Sequence, residues 1–243
     1  VTRNQSSLIA FRLPTAALTG WRMTAAHSDS PTFRVKSDSM SGDKGYIRLE
    51  VEGYGGMNCA SWLDRPLTVA GRAVVETPAG VEGCLVHLDR DLLTIPSLAI
   101  HQQRDVNKGH DYNLQRDMQP LYGAEEAPSL THLLAEALGV EDSDILATDL
   151  VLCPRQKPVC IGPEGELFQA PRIDDLGCAY ATLEGLLTAS PSSRLGQVYC
   201  LFDNEEVGSG TRQGALSSFL PDVLARTAEI LGMSAQAQRQ ALA

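Results

Sequence analysis

Short apolar runs recur along the chain, and their spacing changes character twice. Residues 7–14 read as a strand closed by a proline, and 20–26 as a second strand, expected to be its hairpin partner. From Phe33 onward the runs become shorter and closer together. Residues 46–52 alternate apolar and polar without a break, the pattern of a half-exposed strand. Segments 72–76 and 83–88 flank Thr77-Pro78-Ala79-Gly80 as a hairpin, and 95–101 and 149–153 add further apolar runs. Residues 102–128 are polar and read as a long loop. A helix is expected over 129–138, with leucines at 130, 133, 134 and 138 and a stop at Gly139. Beyond Gly165 the period lengthens again. Asp174 and Asp175 precede a helix whose apolar face is expected to carry Leu176, Ala179, Leu183, Leu186 and Leu187. Residues 197–202 form a buried strand, and a last helix runs from about Ala215 past Leu231. The pattern therefore predicts an α/β fold at both ends and a β-rich middle. The corresponding domains are 1–36 and 166–243, forming one catalytic domain, with 37–165 inserted.

The 243 residues suffice for one large domain or two smaller ones, and 43% hydrophobic content is ordinary for a soluble globular chain. A net charge of −10 argues against nucleic acid and against an acidic membrane surface as partners. No apolar run approaches the roughly 18 residues of a membrane span. Six cysteines occur without a C-x-x-C pair, several within apolar runs. That usage points to reduced core thiols and a cytoplasmic location. The chain begins Val-Thr-Arg-Asn and stops at Ala243 within a helical composition, so a fragment of a longer protein is expected.

Three places carry candidate chemistry. The strand at 197–202 ends on Asp203-Asn204-Glu205-Glu206, and the C-terminal ends of buried strands are where open α/β sheets bind ligands. Adjacent glutamates can divide the work, one binding a metal while the other acts as a general base. The second apolar run ends on His27-Ser28-Asp29. A histidine and an aspartate two apart on a strand point the same way, and the aspartate can fix the imidazole tautomer. The Asp174-Asp175 pair at a helix start leaves one carboxylate spare beyond the cap. A histidine, a bridging carboxylate, a base and a ligand glutamate make up the donor set of a two-metal hydrolase.

The segments SSLIAFRLP, AAHSDSPTFRVK, GYGG, SWLDRPL, IPSLAIHQQRDVN, APRIDD and FDNEEVGSGTRQGA resemble the aspartyl aminopeptidase family of dinuclear zinc exopeptidases, in order and across nearly the whole chain. The resemblance implies a zinc-peptidase-like α/β catalytic domain interrupted by a β-rich oligomerisation domain, and assembly as a dodecamer. It implies two divalent metal ions, zinc by family, and a peptide substrate with an acidic N-terminal residue. Carried over residue by residue, His27, Asp174 and Glu206 would bind metal, with Asp174 bridging. Glu205 would be the general base and Asp29 would orient His27. His101 would reach a neighbouring subunit's site and stabilise the tetrahedral intermediate.

One departure stands out. The family supplies a further Asp and a His after the paired glutamates, whereas this chain has only Asp222 and no histidine there. The chain alone is therefore expected to be inactive and to bind zinc poorly. Two other readings remain open at this stage: a related dinuclear aminopeptidase with neutral or basic preference, and a non-catalytic assembly scaffold.

Overall fold

The computed structural model describes residues 1–2 and 4–242. The strands in chain order are β1 (Leu8–Arg12), β2 (Gly20–His27), β3 (Thr32–Asp43), β4 (Tyr46–Tyr54), β5 (Leu67–Thr77), β6 (Gly80–His87), β7 (Leu121–Ala124), β8 (Ile145–Pro154), β9 (Val159–Ile161), β10 (Leu167–Gln169) and β11 (Leu195–Phe202). The helices are α1 (Leu114–Asp117), α2 (Leu130–Leu138), α3 (Ile173–Thr188), α4 (Phe219–Ile230) and α5 (Ala235–Leu242). Two compact units result, one of Val1–Ser30 with Arg172–Ala243 and one of Pro31–Pro171. The sequence pattern had drawn these divisions at 36/37 and 165/166.

In the two-part unit the sheet order is β1-β11-β2. The expected β1–β2 hairpin does not form. β11 lies between the two, antiparallel to β1 and parallel to β2. A strand buried on both faces takes the centre of a sheet, and β11 is that strand. Val198, Cys200 and Phe202 pack on Leu224 of α4, while Tyr199 faces the other way and donates from its hydroxyl to the Ala179 carbonyl of α3 at 3.3 Å. α3 buries Ala179, but Leu176 and Leu187, expected on its apolar face, are exposed. The last helix is divided: α4 starts at Phe219 rather than Ala215, and Gly232 separates it from α5 by adopting a left-handed φ of 66°.

The other unit is a six-stranded sheet ordered β6-β5-β8-β3-β4-β7. The β3–β4, β5–β6 and β5–β8 pairs are antiparallel. Alternation along β4 buries Leu49 and Val51, as its sequence predicted, beside Phe33, Leu67, Val69, Leu150 and Leu152. The α2 leucines at 130, 133 and 134 close this core. α2 is capped as expected, with the Ser129 side chain accepting from the His132 amide and Gly139 left-handed at φ 69°. The polar stretch 102–128 is not structureless, since it contains α1 and β7. A small hairpin, β9–β10, stays exposed.

Candidate metal centre

The parallel pairing of β2 with β11 sets Phe202 opposite His27, so both strands end at the same level. The Ser28 amide extends the ladder by donating to the Phe202 carbonyl at 3.1 Å. Just beyond, the chain reverses at Asn204, whose φ of 62° is the left-handed conformation that asparagine tolerates best among non-glycine residues. The turn Glu205–Val207 follows as a single 3-10 turn. Parallel strand ends thus deliver a histidine and two glutamates to one place.

Asp29 ties this place together. One of its carboxylate oxygens accepts from the Glu205 amide at 3.1 Å and the other from the Glu206 amide, also at 3.1 Å. Its backbone carbonyl lies 3.1 Å from His27 Nδ1, and its Oδ1 lies 3.4 Å away. Two acceptors on that side draw the imidazole proton to Nδ1. The lone pair of Nε2 is then directed to the opposite side, where Asp175 Oδ1 and Glu205 Oε2 each lie at 3.9 Å.

Ligand atoms of His27, Asp175 and Glu206 all lie within 4.8 Å of one another, a spacing that could hold a metal ion. Asp174, read as the bridging ligand, is exposed, and Asp175 takes the position beside His27. Neighbouring helical residues point about 100° apart, so only one of the pair can face inward from the first turn of α3. By sequence the doublet offers one carboxylate beyond the cap, and the family resemblance assigns the ligand role to Asp174. Glu205 is more than half exposed, consistent with a group left free to act rather than to ligate. His101 belongs to the Pro31–Pro171 unit, exposed in a turn, and is not among the three.

The electrostatics of the cluster suit a cation at this point. Burial lowers the affinity of His27 for a proton, but the Asp29 carbonyl and the carboxylates of Asp29, Glu205 and Asp175 outweigh it and raise its pKa. Burial pushes the Glu206 pKa up, and the like charges of Asp175 and Glu205 push it further. Asp175 is only 2% exposed, and its Oδ1 has no hydrogen-bond partner among the described residues. A buried carboxylate oxygen left unsatisfied is costly, and a divalent ion at this point would satisfy it. One imidazole and two carboxylates are a donor set suited to zinc.

Residues 1–242 match the family described as Aminopeptidase I zinc metalloprotease (M18). A probable M18 family aminopeptidase 2 of Clostridium novyi is 40% identical over 236 residues, covering 93% of this chain and 54% of that protein. Aspartyl aminopeptidase 1 of Schizosaccharomyces pombe is 36% identical over 259 residues, covering 95% and 55%. Among solved structures, the mApe1 dodecamer of S. cerevisiae superposes with a TM-score of 0.79 at 28% identity, covering 94% of this chain and 54% of that one. The chain spans about half the length of the relatives it matches.

Proposed function

The chain belongs to the M18 family of aminopeptidase I zinc metalloproteases, and we propose that it supplies the first part of the metal centre of an aminopeptidase that removes acidic N-terminal residues from peptides. The observation that carries this reading is the convergence of His27, Asp175 and Glu206 within 4.8 Å of one another. The acidic preference draws its support from the aspartyl aminopeptidase of S. pombe.

In this reading His27 Nε2 and the carboxylates of Asp175 and Glu206 hold one zinc ion. The second divalent ion implied by the family resemblance would need donors besides these three. Bound metal would supply polarisation of the scissile carbonyl and a water with a pKa lowered toward about 7. The chain's own residues do the rest. Glu205, kept out of the ligand set, takes a proton from the attacking water as the water oxygen bonds to the scissile carbonyl carbon, and passes it to the amine nitrogen as the C–N bond breaks. Asp29 keeps the proton on Nδ1, so that Nε2 remains a lone-pair donor, and holds the Glu205–Glu206 amides in place. Burial of Asp175 keeps water from competing for its free oxygen.

The Pro31–Pro171 unit is proposed to mediate assembly, as a β-rich insertion in a dodecamer like that of the yeast homologue. Its β9–β10 hairpin exposes Val159, Ile161, Leu167 and Phe168, an apolar surface of the kind that marks subunit contacts. His101, exposed on the same unit, is proposed to donate to the intermediate in a neighbouring subunit. No helix among the described residues is long and apolar enough to cross a membrane. The cytoplasm is proposed as the location from the cysteine usage, six residues without a C-x-x-C pair.

The test is an assay of the full-length protein with zinc on peptides beginning with Asp, Glu, Leu or Lys, beside Glu205→Gln. Release of the acidic residues, reduced about 10²–10⁴-fold in the variant, is expected. Cleavage confined to Leu or Lys would overturn the specificity, and no cleavage by the metal-loaded assembly would overturn the enzyme reading.

A further inference from the structure

The three residues after His27 each tie the chain to a different part of the cluster. The Ser28 amide bonds to the end of β11, Asp29 bonds to the Glu205 and Glu206 amides, and the Ser30 hydroxyl donates to Asp175 Oδ2 across 145 positions of sequence. Ser30 has no role in the reading above. Its contact nevertheless decides how Asp175 presents itself. With Oδ2 engaged by the hydroxyl, the free oxygen is Oδ1, buried, without a hydrogen-bond partner among the described residues and 3.9 Å from His27 Nε2. Without that contact the carboxylate could turn about its Cβ–Cγ bond, and neither oxygen would be held toward the histidine. Pro31 follows Ser30 and restricts its backbone to extended conformations, which limits how far the Ser30 side chain can move from Asp175.

We propose that Ser30 is a positioning residue for the metal centre, acting through Asp175 by holding one carboxylate oxygen so that the other faces the ion. This rests on the proposed role of Asp175 as a ligand. Hydrogen-bond partners of ligating groups of this kind are worth about 10–100-fold in metal affinity. The chemistry asked of Ser30 is a single hydroxyl donor, and threonine supplies the same donor while alanine does not.

The experiment is a cobalt(II) titration of the metal-free full-length protein, read by the visible absorption of the bound ion. Wild type, Ser30→Ala, Ser30→Thr and Asp175→Asn are compared, with thermal melts of the metal-free forms to check folding. Ser30→Ala is expected to bind cobalt about 10–100-fold more weakly, with an altered absorption band, while Ser30→Thr stays within a few-fold of wild type in both respects. Should Ser30→Ala fail to fold, Ser30→Cys, of similar size and a poor donor, carries the same expectation. Wild-type affinity and spectrum in the folded Ser30→Ala protein would overturn the role of Ser30 alone. Failure of wild type to bind cobalt, or wild-type binding by Asp175→Asn, would instead overturn the metal-centre reading and this inference with it.

Discussion

In the first turn of α3, Asp174 is exposed while Asp175 is buried to 2% and meets Ser30 and His27. Nothing in the pair of letters distinguishes them, because the choice depends on how the helix is rotated against the strand ends. Glu205 and Glu206 after an apolar strand, and His27 with Asp29 at a two-residue spacing, could be marked as candidates from the local pattern, but the family resemblance is what singled them out. The grip of Asp29 on the glutamate amides was not legible, because it joins positions 176 and 177 residues apart. At this scale Asp175→Asn should abolish tight zinc binding by the full-length protein and Asp174→Asn should leave it within a few-fold, as read by calorimetry; the opposite ranking would restore Asp174 as the ligand. Cys200 offers an independent check on the β11 core. Burial raises its thiol pKa from 9.0 to about 11. The folded state therefore holds that proton more tightly than the unfolded state. The resulting stability is present below pH 9 and is lost as pH rises toward 11. Exposed Cys160 and Cys178 should react with a thiol reagent in the native protein at pH 8, and Cys200 only after unfolding.

Elements differ in how far their own sequence determines them. α2 was readable end to end because its cap, leucine spacing and terminal glycine are local signals. The partner of β2 was not, since a parallel partner contributed from residues 195–202 leaves no local trace, and the apolar run of β1 next to it invited the wrong pairing. Packing tolerances now test the observed arrangement. A Cβ added at Gly196 would lie 2.3 Å from the Trp21 ring, across the β11–β2 pair. Gly196→Ala should therefore cost about 1–3 kcal/mol in a denaturant melt. A neutral result would mean that β2 does not lie against β11 as described. The exposed Leu176, Tyr180 and Leu187 of α3 explain why its apolar pattern predicted more burial than this half of the protein provides.

At the level of the whole molecule, the hydrophobic period suggests α/β segments at both ends and a β-rich middle, and the two compact units divide at 30/31 and 171/172. The hydrophobic period carries no sign of assembly, and the expectation of a dodecamer rests on the family resemblance alone. If the Pro31–Pro171 unit brings His101 to a neighbour, His101→Ala should lower kcat by about 10²–10³-fold while light scattering still reports the dodecamer. An unchanged kcat would remove His101 from the reaction. The centre formed by His27, Asp175 and Glu206 is tested most directly by anomalous diffraction at the zinc edge from crystals of the full-length protein grown with zinc. The expected result is a peak bonded to His27 Nε2, Asp175 and Glu206, with Glu205 outside the ligand set. A zinc ion bound elsewhere, or held by Asp174 in place of Asp175, would contradict it.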